Sequence, residues 1–276
     1  MRKPRPSRRS AAAARAKRET LKGWLQISGV VALTAVVGVT YFMVAKGAKA
    51  LDDETLCPRE PSSVTVLLVD VTDPMTTAQK QDFQNQLDHL RRTIPRYGKL
   101  IVTKVDSSSS ELLKPIIVRC NPGTATDVSE WNGNPRAVQE AHDQKFVAPL
   151  EAAFKDLSGA SGADRSPILE SIQSVALTEL APLESSDTPR KVVVVSDLLQ
   201  NTDAINFYDR LPSPDELLES AAFRRVRTDL SGVQFEIWML ERSDATTTQP
   251  RALVDLWDSA IAAQGGSIER AYNVSG

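Results

Sequence analysis

Two apolar runs that end in acids carry most of the chemistry available to this chain. In Ser63-Val64-Thr65-Val66-Leu67-Leu68-Val69-Asp70-Val71-Thr72-Asp73-Pro74, a largely β-branched stretch delivers a carboxylate and then a hydroxyl. Lys191-Val192-Val193-Val194-Val195-Ser196-Asp197 ends the same way. Short apolar runs of this kind read as buried strands of a parallel sheet. Open α/β sheets collect ligands where their strands end, at the carboxyl edge. Asp70, Thr72 and Asp197 therefore stand where metal binding or catalysis is expected.

The elements around them alternate between the two periodicities. A strand is expected at about 64–70. A helix follows it, with Phe83, Leu87, Leu90 and Ile94 at helical spacing and Pro95 and Gly98 beyond. Its start is open between Asp73-Pro74 and a capping box at Thr76-Thr77-Ala78-Gln79. Leu100–Val105 and Pro115–Cys120 read as the next strands, and 121–135 as loop. Phe146, Leu150, Phe154 and Leu157 mark a helix in which Pro149 is a kink or a start. Ser158–Arg165 reads as a small-residue loop, and Ser166-Pro167 opens the next helix. Beyond the 191–196 strand come a long connection (Leu198–Asp215), a helix over 215–228, a strand through Val233–Met239, a helix through Leu253–Ile261 and a strand at Ser267–Val274. Alternating strands and helices imply an α/β, doubly wound, mostly parallel sheet. The short link between the second and third strands makes one of them an antiparallel edge strand.

Charge divides the chain in two. Residues 1–49 hold 11 Lys+Arg against Glu19 alone, a net +10; the remaining 227 hold 22 against 34 acids, a net −12. Trp24–Ala45 contains no charged side chain, and at about 1.5 Å per residue it is long enough for a bilayer core of about 30 Å. The expected organisation is a basic tail (1–22), a single transmembrane helix (23–45), a polar linker (46–62) and a domain (63–276). Nine Lys/Arg precede the apolar stretch, so the positive-inside bias puts the N-terminus in the cytoplasm and the domain in the periplasm or extracellular space. Ala48-Lys49-Ala50 has the form of a signal-peptidase site, but the apolar stretch exceeds a usual signal core and favours an uncleaved signal-anchor. The basic tail is read as a disordered, topology-setting segment. It lacks the interleaved aromatics of a nucleic-acid surface. The two cysteines, Cys57 and Cys120, both follow the apolar stretch, and an even count in an exported domain fits one disulfide.

Asp70-Val71-Thr72-Asp73-Pro74, Ser166-Pro167-Ile168 and Asp197-Leu198, in that order and spacing over residues 62–274, resemble the three loops of a von Willebrand factor type A domain. The resemblance implies a metal-ion-dependent adhesion site at the carboxyl edge, with Asp70, Thr72, Ser166 and Asp197 around Mg²⁺ or Mn²⁺ and Asp73 beside them. Pro74 stands where that family has a second hydroxyl, and Leu198 where it commonly has glycine. Such an ion takes hard oxygen ligands in an octahedron. It keeps a net positive charge for a partner's carboxylate. The structural alternative makes Asp73 and Ser166 helix N-caps, and makes Asp70 and Asp197 acceptors of loop N–H groups.

The function expected from this is a membrane-anchored binding or scaffolding protein that engages a membrane- or envelope-associated protein and performs no reaction of its own. Phe207 and Tyr208, with Leu211 nearby, are the candidate contact residues in the long loop after Asp197. The enzymatic alternative is a phosphohydrolase, because Asp70-Val71-Thr72-Asp73-Pro74-Met75-Thr76 also resembles the loop of haloacid-dehalogenase-like proteins. There Asp70 would be the nucleophile, Lys191 the phosphate-binding cation, and Asp197 and Asp203 metal-binding acids. Ser196 stands where that family has Gly before its last acid. No Gly-rich phosphate loop, zinc cluster or G-x-S-x-G elbow occurs, and His89 and His142 are expected to face solvent.

Overall fold

The sheet grows outward from β1 (Val64–Val69), all six of whose residues are buried. The computed structural model describes residues 8–47, 50–72, 74–105, 107, 112–129, 133–157, 164–181, 183, 187–242 and 251–274. It forms two units, Met1–Ala50 and Leu51–Gly276.

In the second unit, β1 is joined in chain order by β2 (Lys99–Lys104), β3 (Ile117–Cys120), β4 (Arg190–Ser196), β5 (Val233–Leu240) and β6 (Ser267–Val274). The sheet order is β3-β2-β1-β4-β5-β6. Only β3, at the edge, runs antiparallel to its neighbour; the other pairings are parallel.

Strand alternation sends side chains to two separate cores, so the sheet must be covered on both faces. On one face Val66, Leu68, Val192, Val194, Phe235 and Ile237 pack with residues of later helices. These include α5 (Ile168–Val175), α7 (Ala221–Val226) and α8 (Arg251–Ala262). On the other, Leu67, Val69, Val193, Val195 and Trp238 meet α2 (Thr77–Thr93) and α4 (Ala148–Leu157).

Several local expectations are corrected. α2 does not begin at Asp73-Pro74. It begins at the capping box, in which Gln79 N donates to Thr76 Oγ1 at 3.1 Å and Thr76 N donates to Gln79 Oε1 at 3.0 Å. That reciprocal pair satisfies two otherwise orphaned donors. The helix expected around Phe146 starts earlier, with α3 (Pro135–Ala141) capped by Asn134, and reaches α4 through a wide π turn at His142–Val147. The wide turn makes room for the Pro149 ring, which would clash with a carbonyl of a regular helix. The 215–228 helix is two short ones, α6 (Pro214–Glu219) and α7, because Ser220 ends the first and its Oγ caps the second by accepting from Phe223 N at 3.0 Å. His89 is exposed, whereas the side chain of His142 is only 16 % exposed, its ring lying against Phe146. Asp106 and Ser108–Ser110, Ala48-Lys49 and Ser158–Ala163 lie outside the described residues.

Residues from Leu51 onward belong to the domain unit. There Leu56 is buried, Cys120 N donates to Thr55 O at 2.8 Å, and Cys57 is disulfide-bonded to Cys120. Cys120 ends β3, so the bond fixes the incoming chain to the amino-terminal side of β1, away from the acids.

The first unit is a 40-residue helix, α1 (Arg8–Gly47). Residues 8–22 are therefore helical, where a disordered tail was expected; Ala11–Ala14 is a run of the strongest helix former. Its Lys22–Tyr41 stretch is long and apolar enough to cross a membrane. The two threonines in it bond back to the preceding turn, Thr34 Oγ1 to Val30 O at 2.6 Å and Thr40 Oγ1 to Val36 O at 2.9 Å. Their hydroxyl donors would thus be satisfied within lipid.

Thiol labelling of the unfolded, unreduced chain is expected to find no reactive cysteine. Replacing Cys57 and Cys120 by serine removes a cross-link spanning 63 residues, worth about 4 kcal/mol in the chain-entropy model. Thermal melts of the full chain should then fall by roughly 10 °C, and an unchanged melt would show that the bond constrains nothing.

Candidate functional site at the sheet switch point

β1 and β4 lie side by side, yet β1 is followed in the chain by β2 on its other flank. The direction of sheet growth reverses between them, and a crevice forms at their carboxyl tips. Asp70 and Asp197 are the residues at those two tips.

Asp70 is 3 % exposed, and its main chain is still held in the sheet by Asp70 N donating to Val195 O at 2.8 Å. Its carboxylate is saturated. Oδ1 accepts from Thr72 N at 3.0 Å and Thr72 Oγ1 at 2.6 Å; Oδ2 accepts from Ser166 Oγ at 2.7 Å and Ser196 Oγ at 2.9 Å. Charge-assisted bonds of this kind are about twice as strong as neutral ones. Ser166 is brought there by a two-way backbone bridge with Asn201, both bonds 2.9 Å long. Its hydroxyl is spent on Asp70 and does not cap α5. That work falls to Gln200, whose Oε1 accepts from Leu169 N at 2.9 Å.

Asp197 turns to different partners. Oδ1 accepts from Leu199 N at 2.9 Å, while Oδ2 accepts from Arg242 Nε at 2.9 Å and from the Tyr208 hydroxyl at 3.3 Å. The two side chains of the ion pair are 2 % and 16 % exposed. Burial pushes the Asp197 carboxyl above its ordinary range, against the pull of the Arg242 charge and the Leu199 N–H; Asp70 adds to the upward push. The turn after Asp197 retains a left-handed residue, Leu198 at φ +66°, where glycine would be free of strain. Trp257 Nε1 donates to the Leu198 carbonyl at 3.0 Å, and the Leu198 side chain is fully buried.

The structure thus brings Asp70, Thr72, Ser166 and Asp197 to one edge, while Asp73 lies outside the described residues. Of the expected contact residues, only Tyr208 is exposed, at 46 %. Phe207 is a correction: it is buried edge-on against Trp257 with ring centroids 6.3 Å apart. Phe207 N donates to Gln200 O at 2.9 Å, which folds the ring inward. Leu211, half-buried, packs on the same core.

A divalent ion does not fit this arrangement. Thr72 and Ser166 would offer it hydroxyl oxygens, but Asp197 Oδ2 already holds a guanidinium. A second cation there would be repelled in a poorly screened site. The phosphohydrolase constellation is not assembled either. Lys191 lies near the start of β4, paired with Glu236 at 3.6 Å, about 16 Å along the strand from Ser196. Asp203 is an exposed partner of Arg165.

Ser196, Gln200, Arg242 and Trp257 were not read from sequence as parts of this site. A signal existed for two of them. Ser196 is the hydroxyl immediately before the second acid, and Glu241-Arg242 is a charged pair directly beyond a strand of the same sheet.

No family model matches the chain, and no curated protein matches it. Solved structures that the chain matches include a conserved hypothetical protein, BatB, from Bacteroides thetaiotaomicron. It is 8 % identical, has a TM-score of 0.36, and the match covers 76 % of this chain and 91 % of that one. Another is an aerotolerance-related membrane protein from Bacteroides fragilis, 8 % identical with a TM-score of 0.34, the match covering 78 % and 92 %.

Two outcomes are expected at this site. Asp70→Asn puts an amide where an oxygen accepts two bonds, and should destabilise the domain by about 1.5–3 kcal/mol in denaturant melts with EDTA present. An unchanged or higher stability would mean that the carboxylate is strained by its surroundings. Asp197 gives a pH signature. Its folded carboxyl holds its proton to higher pH than the unfolded one, whose ordinary value is 3.8. Stability from this group is therefore complete below that value and declines as pH rises through the folded value. Asp197→Asn abolishes that decline, so the variant should compare better with the parent at about pH 7.5 than at about pH 3.5, below the unfolded value. A difference that is constant between the two, or runs the other way, contradicts the shift.

Proposed function

We propose that this chain is a membrane-anchored binding protein. In this reading α1 spans the bilayer with its basic end in the cytoplasm, and the Leu51–Gly276 unit lies outside it. The carboxyl edge of the sheet, around Tyr208, engages a membrane- or envelope-associated protein partner.

The observation that carries the reading is the state of the two acids at the switch point. Both oxygens of Asp70 are occupied by donors, and Asp197 is tied to Arg242 and Tyr208. Carboxylates so held are poorly placed to attack a substrate, because reaction would first have to break charge-assisted bonds. They are good at fixing loop shape, which is what a recognition edge needs. The apolar Lys22–Tyr41 stretch and the eight basic residues that precede it support the anchor and its orientation.

An alkaline phosphatase reporter fused after Gly276 should be active, and activity only from a cytoplasmic reporter would reverse the topology. A photo-crosslinking side chain at Tyr208, in native membranes, should give a discrete adduct of reproducible mass. The same group at Gln234, exposed at the start of β5, should not. Equal adducts at both positions, or none, would remove the carboxyl edge as the contact. Phosphate release by the full chain that disappears in Asp70→Asn would replace the binding reading with the enzymatic one.

A further inference from the structure

The switch point gathers two buried acids, and a low-dielectric crevice cannot leave them unbalanced. In the family that the loops resemble, a divalent ion supplies the positive charge. Here a positive charge is already built into the chain. Arg242 lies two residues beyond β5, the strand next to β4. Its Nε meets Asp197 Oδ2 at 2.9 Å, and its side chain is mostly buried. The neighbouring chain is fixed by Gln79 Nε2 donating to Glu241 O at 2.7 Å, which ties the residue before Arg242 to the start of α2. Tyr208 closes on the same Asp197 oxygen from the loop on the other side.

The remaining departures are consistent with a site that does not hold a metal. Pro74 supplies no side-chain oxygen. The hydroxyls of Thr72, Ser166 and Ser196 all donate to Asp70, and Ser196 Oγ also accepts from Leu198 N at 2.9 Å. Asp70 is thereby stabilised by neutral donors and Asp197 by a cation.

We infer that Arg242 is the resident cation of this edge, replacing a divalent ion, and that the site keeps its shape and its charge balance without metal. The role is one of positioning: the guanidinium holds Asp197, and through it the turn that carries Leu198, Leu199 and Gln200. The inference does not depend on the identity of any partner.

The test uses the full chain in detergent, melted with EDTA and with millimolar MgCl₂ or MnCl₂. The parent should melt at the same temperature in all three. Arg242→Gln leaves a buried carboxylate without its counter-charge and should lower the melt by on the order of 10 °C. Arg242→Lys, which keeps the charge, should recover at least half of that loss. Adding Asp197→Asn to Arg242→Gln should also recover part of it, because the unpaired charge is then gone. If Arg242→Gln fails to fold, the Lys variant and the double variant carry the comparison. A parent stabilised by Mg²⁺ or Mn²⁺ relative to EDTA overturns the inference. So does a double variant no more stable than Arg242→Gln alone, since Arg242 would then act only by packing.

Discussion

Neutralising two buried carboxylates at one sheet edge is the constraint on which the rest of this domain depends. The doubly wound order places Asp70 and Asp197 on adjacent strand tips whatever the loops contain. Each loop then supplies a donor. The turn after β1 gives Thr72, the segment before α5 gives Ser166, the end of β4 gives Ser196, and the segment after β5 gives Arg242. Four separate pieces of chain are drawn together by the demand for hydrogen bonds to two acids. Satisfied in full, such a network rigidifies its surroundings; missing a partner, it becomes a liability of several kcal/mol.

The second unit is anchored at its opposite end by covalent chemistry. Cys57–Cys120 joins the incoming chain to the antiparallel edge strand at the amino-terminal side of β1. Buried β1 thus runs from a cross-linked end to a hydrogen-bonded end. The two fastenings differ in what they resist. The disulfide limits the unfolded ensemble, whereas the acid network fixes the local shape of the folded edge.

The sheet was legible because its signals are local and repeated. Runs such as Val64–Val69 and Val192–Val195 are apolar on both faces, as buried parallel strands must be. The brief link before β3 left no room for a crossover. Asp70, Thr72 and Asp197 were legible as tip residues for the same reason, and Ser166 as the hydroxyl before Pro167 at a helix start. Arg242 was legible only as a charge directly beyond a strand, because its role depends on a contact 45 residues away in sequence, with Asp197, and nothing in its position names that partner. Phe207 misled because an aromatic in a long loop reads the same whether it faces solvent or folds back onto Trp257. The start of α2 was decided by two side-chain bonds that propensity alone does not rank. The break at Ser220 was hidden because a serine tolerated in a helix looks the same as one that caps it.

Leu198 shows how the edge balances strain against burial. A non-glycine residue in the left-handed region costs about 1–2 kcal/mol. Glycine would avoid that cost, but burying a leucine side chain in full contributes about 1.5–3 kcal/mol. Leu198 sits in the core of the sheet face that also holds Phe207 and Trp257, so the apolar gain offsets the strain. The Trp257 hydrogen bond to its carbonyl then fixes the peptide plane that follows. The consequence reaches the acids. With Leu198 locked, Leu199 N is held toward Asp197 Oδ1, and the other oxygen is left to face Arg242 and Tyr208. A glycine here would keep the turn and lose its anchor in the core. The direction of the Asp197 carboxylate is therefore set from beneath, by hydrophobic packing, as much as from above, by charge.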